Sequence, residues 1–190
     1  MDNKLTIINY LGKKHKQSFT MHELSMKLNI PYASFYRTIQ EIKDLIIITS
    51  VGKAKTIQLN KSNPVITAYL TISSDEEKKE FLSKQPLIKK IAEELQTKEI
   101  VVLFGSYAKA LQNEKSDIDI IIINNNGKKS LSFSKYELLF KKKINPVYVT
   151  KKEFQSMLQD QQENIGKQVV KDHIILNNPQ SFWGCVIHEI

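Results

Sequence analysis

The 190-residue chain has one cysteine, one tryptophan, six glycines and five prolines. A lone Cys185 leaves no internal disulfide and no zinc-binding cysteine cluster. No run of about 18 apolar residues occurs, so no membrane-spanning helix is indicated. The opening residues, MDNKLTIINYLGKKHKQ, lack a signal peptide's apolar middle and small-residue cleavage site. The sequence shows neither an internal repeat nor a long low-complexity tract. A cytoplasmic protein with no membrane partner is expected. Acidic residues are also short: 20 against 28 basic ones, for a net charge of +8. Apolar residues make up 41%, enough for a core, and the length suits one ordinary domain or two small ones.

The positive excess is uneven. Residues 1–62 hold ten Lys and Arg against four Asp and Glu, a net +6. The remainder carries 18 against 16, a net +2. A solvated lysine surface and a phosphate-binding face are the two explanations of the basic first third.

Leu5, Ile7, Ile8 and Leu11 predict a first helix near residues 3–13. Thr20 and Glu23 form a capping-box pattern for a short second helix that buries Leu24 and Leu28. Pro31 suits the first turn of a third helix, running to about Leu45 with Phe35, Ile39 and Ile42 on one face. Residues 46–49 and 56–59, around a Gly/Lys turn, predict a hairpin. His15 and His22 read as surface residues.

Three helices followed by a hairpin, with Leu28, Ile30, Pro31, Tyr36, Arg37, Ile39, Ile42, Leu45 and Ile46 in this spacing, resemble a winged helix-turn-helix of archaeal and bacterial regulators. The resemblance implies that Tyr32, Ala33, Ser34, Tyr36, Arg37 and Gln40 face the major groove of double-stranded DNA. Lys53 and Lys55, at the hairpin tip, would contact phosphates. Arg37 is the chain's one arginine, the residue type that makes a bidentate contact with guanine. The alternative is a plain surface pair with Glu41. A domain of this kind also binds proteins or pairs as a homodimer.

Residues 63–84 read as a helical connector. Asn63-Pro64 starts it, and Ser74 looks like the cap of a separate helix reaching about Leu82. Pro86 opens a helix through Leu95. An apolar strand, Ile100–Phe104, then ends in Gly105-Ser106. Ten polar-rich residues separate this pair from Asp117-Ile118-Asp119, which enters a second apolar strand. On a strand, Asp117 and Asp119 point to one face. Two carboxylates so placed repel, and a divalent cation is the usual remedy. A glycine at the strand's end lets backbone N–H groups approach a phosphate, and the serine hydroxyl adds a donor. Without such a ligand the same residues describe a strand unit with two acids capping a loop.

Gly105, Ser106, Ala108, Ser116, Asp117 and Asp119 resemble the motif of the nucleotidyltransferase superfamily that includes DNA polymerase beta and the minimal nucleotidyltransferases. Leu111 departs from it, near a common glycine. The resemblance covers about residues 85–190. It implies an α/β (α+β) nucleotidyltransferase fold with a small mixed sheet, preceded by the winged helix of residues 1–62. It implies that Gly105, Ser106 and Ser116 bind a nucleoside triphosphate, and that Asp117 and Asp119 hold catalytic Mg²⁺ or Mn²⁺. The acceptor would be a protein or a small hydroxyl compound, with aminoglycosides disfavoured.

Beyond Ile123, Ser130 or Ser134 is expected to cap a helix closed by Lys141-Lys142-Lys143. A strand, 144–149, follows, then helices capped by Thr150 and Asn164, and a final helix over 179–190. Members of the superfamily place a third carboxylate on the strand after the Asp pair. Here that strand, INPVYV, has none, and Asn145 stands in its place. Three readings stay open: a transferase with an unusual third ligand, a nucleotide and metal binder without turnover, and a scaffold. The second and third make the chain a regulator or antitoxin-like DNA binder.

Overall fold

A computed structural model gives the structure of residues 1–52 and 54–187. The chain divides into two compact units, Met1–Ser73 and Ser74–Ile190. The division falls inside the segment expected as a connector. No described helix is long and apolar enough to cross a membrane.

The first unit runs α1 (Asn3–Lys13), β1 (Phe19–Thr20), α2 (Met21–Lys27), α3 (Tyr32–Glu41), β2 (Ile46–Val51), β3 (Ala54–Leu59) and the start of α4 (Ile66–Ser83). Asp2 caps α1, its carboxylate accepting from the Leu5 amide at 2.8 Å. The sheet has the order β1-β3-β2 and is antiparallel throughout. Ile7, Ile8, Leu11, Leu24, Phe35, Ile39 and Ile57 are buried at its core. Each such side chain contributes about 1.5–3 kcal/mol of burial.

Four expectations are corrected in this unit. Thr20 accepts from the Glu23 amide, but Glu23 makes no described return bond, so half of the capping box forms. Pro31 is the N-cap of α3, not a residue of its first turn. That helix ends at Glu41; a 3-10 turn, Lys43–Leu45, follows and buries Leu45 before β2. Two-residue β1 is too short for any periodicity to announce it.

His15 is the fourth correction. It is half-buried, its Nδ1 lies 3.1 Å from the Gly12 carbonyl oxygen, and its Nε2 is buried without a hydrogen-bond partner. Burial, aided by Lys61 and Lys16, lowers its pKa from 6.5 to about 4. The unfolded imidazole takes up its proton near pH 6.5 and the folded one near 4. The unfolded state therefore binds the extra proton across that window, and stability falls as the pH drops through it. Denaturant unfolding at pH 7 and pH 4 should show the wild type losing about 3 kcal/mol more than His15→Gln over that range. Equal losses would mean that His15 titrates normally.

The second unit continues with the rest of α4, then α5 (Pro86–Glu93), β4 (Ile100–Phe104), α6 (Gly105–Ala108), β5 (Ile118–Asn124), α7 (Ser134–Phe140), β6 (Ile144–Thr150), α8 (Lys151–Gln159), α9 (Ile165–Lys171), β7 (Ile174–Asn177) and α10 (Pro179–Ile187). The four-stranded sheet is mixed, in the order β6-β5-β4-β7. β4 runs antiparallel to β5 and β7, while β5 and β6 are parallel and need α7 as their crossover. Val101, Leu103, Ile118, Ile120 and Ile122 pack with Ile88, Ile91, Phe133 and Tyr136 of the α5 and α7 side. Helices α8, α9 and α10 also contact β4 or β5. Both central strands are thus almost wholly buried, which explains their unbroken apolar runs.

Ser74 does not cap a separate helix. The chain is one continuous helix from Ile66 to Ser83, with no glycine or proline to break it. Ser74 is buried inside it, where its Oγ accepts from the Trp183 indole N–H at 2.8 Å. Phe133 occupies the N-cap position of α7 in place of either expected serine. Ser130 instead donates to Glu99 at 2.6 Å. Helix α5 stops at Glu93 rather than Leu95. Thr150 and Asn164 do cap α8 and α9, Thr150 through a full capping box with Glu153. The last three residues of the expected final helix, 188–190, lie outside the described residues.

A carboxylate pair at the strand ends as candidate active site

Within β5, IDIIIIN, Asp119 is the one residue that is not buried. The strand's alternation turns Ile118, Ile120 and Ile122 to the α5/α7 core. Asp117 and Asp119 fall on the opposite parity and share the other face. Asp119 stands opposite Phe104 of β4 and Asn145 of β6. One carboxylate is thereby flanked by the end of one strand and the start of another.

At the end of β4 the chain turns sharply. Gly105 has φ +72°, the left-handed region that favours glycine. A Cβ there would penetrate the Asp119 carboxylate, lying 3.2 Å from Cγ and closer still to Oδ2. The Asp119 carboxylate therefore lies directly over the Gly105 backbone. Ser106 follows, partly exposed, in the single turn of α6. Tyr107 is buried beneath and anchors the turn in the core.

The acid pair is organised by the chain's own donors. The Asn145 amide nitrogen donates to Asp117 Oδ2 at 3.2 Å and to Asp119 Oδ1 at 3.3 Å. The amide's orientation follows from its partners, because both carboxylates accept and neither can donate. Lys143 Nζ lies 3.8 Å from Asp117 Oδ2. Both groups are well exposed, so that pair adds little to stability. As part of a lysine run that closes α7, Lys143 carries no expectation of a place beside the acids. The signal was its spacing: two residues before Asn145, it falls on the same side of β6.

Ser116 lies in the loop before Asp117, where its hydroxyl accepts from the Asn113 amide at 2.9 Å. Lys142 Nζ donates to the Glu114 carbonyl of the same loop. The two nearby acids by sequence have other tasks. Glu137 Oε1 accepts from the Ile144 amide at 2.9 Å, tying α7 to the start of β6. Glu153 completes the Thr150 cap.

The donors fit one divalent cation. Mg²⁺ and Mn²⁺ take oxygen ligands, and Mg²⁺ sites commonly use one or two carboxylates plus substrate phosphates. Asp117 and Asp119 supply the carboxylates, and the Asn145 amide can present its oxygen by turning over. Among the described residues, no three His, Cys, Asp or Glu gather as a metal cluster.

In the first unit, Tyr32, Tyr36, Arg37 and Gln40 are exposed on α3, and Ser34 is partly exposed, accepting from Asn3 Nδ2 at 3.1 Å. Arg37 and Glu41 form no ion pair among the described residues. Lys55 is exposed on β3. Lys53 lies outside the described residues.

Residues 86–176 match the family model of the nucleotidyltransferase domain. The match runs from the start of α5 into β7 and supports a nucleotidyltransferase domain over that segment. No curated protein and no solved structure matches the chain significantly.

Proposed function

We propose that the second unit binds a nucleoside triphosphate at Gly105, Ser106 and the Asp117/Asp119 pair, and transfers its nucleotidyl group to a hydroxyl of a protein or a small molecule. The observation that carries this reading is the stacking of the Asp119 carboxylate over Gly105. It sets the turn that would cradle phosphates beside the acids that would face their cation. When bound, the divalent cation supplies charge neutralisation between carboxylates and phosphates.

The remaining work falls to the chain. The Gly105-Ser106 turn offers backbone N–H groups and a hydroxyl to phosphate oxygens. Lys143 adds a positive charge beside Asp117. In the transfer itself, the acceptor oxygen forms a bond to the α-phosphorus. The bond to the bridging oxygen breaks, and pyrophosphate leaves with that electron pair. The acceptor's proton passes to bulk water; the Asn145 amide is not a base that could take it.

Asn145 favours a second reading, in which the site holds nucleotide without turnover and reports it to the first unit. One assay separates the two. The chain is incubated with α-labelled ATP, Mn²⁺ and cell lysate. Covalent label in a protein band or small product supports transfer. Its absence, with ATP still bound in equilibrium dialysis, leaves the sensor.

The first unit we read as a winged helix-turn-helix that binds double-stranded DNA. In support are the order of its elements, its basic excess, and Arg37 exposed on α3 with no carboxylate partner among the described residues. Arg37→Ala should weaken the best duplex site about tenfold or more and relax base choice. Lys55→Ala should weaken all duplexes alike and reduce the salt slope by about one. Titration of a duplex library at several salt concentrations reads both. Unchanged binding in both variants would remove the DNA assignment.

A further inference from the structure

We infer that Asn145 fixes this site at a single divalent cation, and that its amide holds the two carboxylates together when no cation is bound. This rests on the proposed cation site at Asp117 and Asp119.

The geometry supports both halves. Two like charges on one strand face repel, and something must offset that before a cation arrives. The Asn145 NH₂ has two hydrogens, and it lies within hydrogen-bonding distance of one carboxylate on each side, at 3.2 and 3.3 Å. Its place is set by the parallel register that pairs it with Asp119. It therefore bridges the acids across strands rather than merely filling space beside them.

The same residue brings no charge. Two divalent cations in a joint site sit about 3.5–4 Å apart and repel strongly, so they need shared anionic ligands. Two carboxylates offset the charge of one cation. A further acid would have to come from β6, and Glu137 and Glu153 are held elsewhere. Lys143 adds positive charge at the Asp117 side instead. To accept the first cation the Asn145 amide need only rotate by half a turn and offer its oxygen. Accepting a second would need a third anion, and among the described residues no third acid joins Asp117 and Asp119.

The test uses the full chain and Mn²⁺ alone, with bound metal counted by electron paramagnetic resonance and apo stability read by thermal unfolding. The wild type should bind one Mn²⁺ per chain in a manner abolished by Asp117→Asn with Asp119→Asn. Asn145→Asp should bind two. Without metal, Asn145→Asp should melt about 3 °C or more below the wild type, because three carboxylates now face one another, and Mn²⁺ should reverse the loss. Asn145→Ala should also melt lower without metal, yet bind no more than one Mn²⁺.

Two Mn²⁺ in the wild type, or one in Asn145→Asp, would overturn the stoichiometry. An apo melting point unchanged in Asn145→Ala would overturn the holding role, whatever the metal count. Mn²⁺ binding that is indifferent to the Asp117 and Asp119 changes is a distinct result. It would remove the cation site itself, and with it the reading on which this inference stands.

Discussion

In a chain carrying Asp117→Asn and Asp119→Asn, transfer of nucleotidyl label falls at least about a thousandfold, to background. The effect is large because both carboxylates act through charge. Asparagine keeps their size and most of their hydrogen bonds but neutralises both. A cation then loses both carboxylates of this face, and the triphosphate keeps the Gly105-Ser106 turn and lysines such as Lys143 to hold it. Folding should survive. The native pair is like-charged, and its Asn145 partner can donate as well to an amide oxygen as to a carboxylate. The double variant should therefore melt at or slightly above the wild-type temperature. Loss of label with an intact melting curve assigns the acids to chemistry. Loss of both would return them to structure, and label retained at wild-type level would remove them from the reaction.

Gly105→Ala should destabilise the second unit by about 2–4 kcal/mol. Two costs add. The backbone at φ +72° disfavours any side chain. The new Cβ would also drive into the Asp119 carboxylate, which is held over the glycine by the β4–β5 register that pairs Phe104 with Asp119. Gly52→Ala is the control for the first cost alone. Gly52 has φ +61° and open space where a Cβ would stand, so about 1 kcal/mol is expected there. The second cost is read from a double-mutant cycle. Adding Asp119→Ala to Gly105→Ala should recover about 1–2 kcal/mol of stability by denaturant unfolding. No coupling between the two positions would mean that Asp119 does not lie over Gly105 in solution.

Parts of this site were readable from order along the chain, and parts depended on strand pairing. Gly105, Ser106, Asp117 and Asp119 are recognisable because each is a polar or permissive residue at the end of an apolar run, and such breaks carry information. The acids' common face followed from strand periodicity alone. Asn145 was visible as a missing carboxylate, but its amide's grip on both acids was not. That contact joins residues 28 and 26 positions apart and exists only because β6 lies parallel to β5 in one register. Strand β7 is not announced by the sequence, since four residues cannot show a period. Ser74 misled for a physical reason. A serine followed by acids is a common helix start, but here the hydroxyl serves an indole N–H from a distant helix.

That last contact bears on the order in which the chain can fold. Ser74 is the first residue of the second unit, and Trp183, which bonds to it, lies 109 positions later. Strand β7, which completes the sheet beside β4, also comes late. A loop this long closes slowly, since its entropy is lost before the contact repays it. During synthesis the first unit has all its strands and helices available while the second still lacks the pieces that seal it. Until β7 has left the ribosome, β4 presents an open, wholly apolar edge. The interval between the two events is when the nascent chain is most exposed to misassociation.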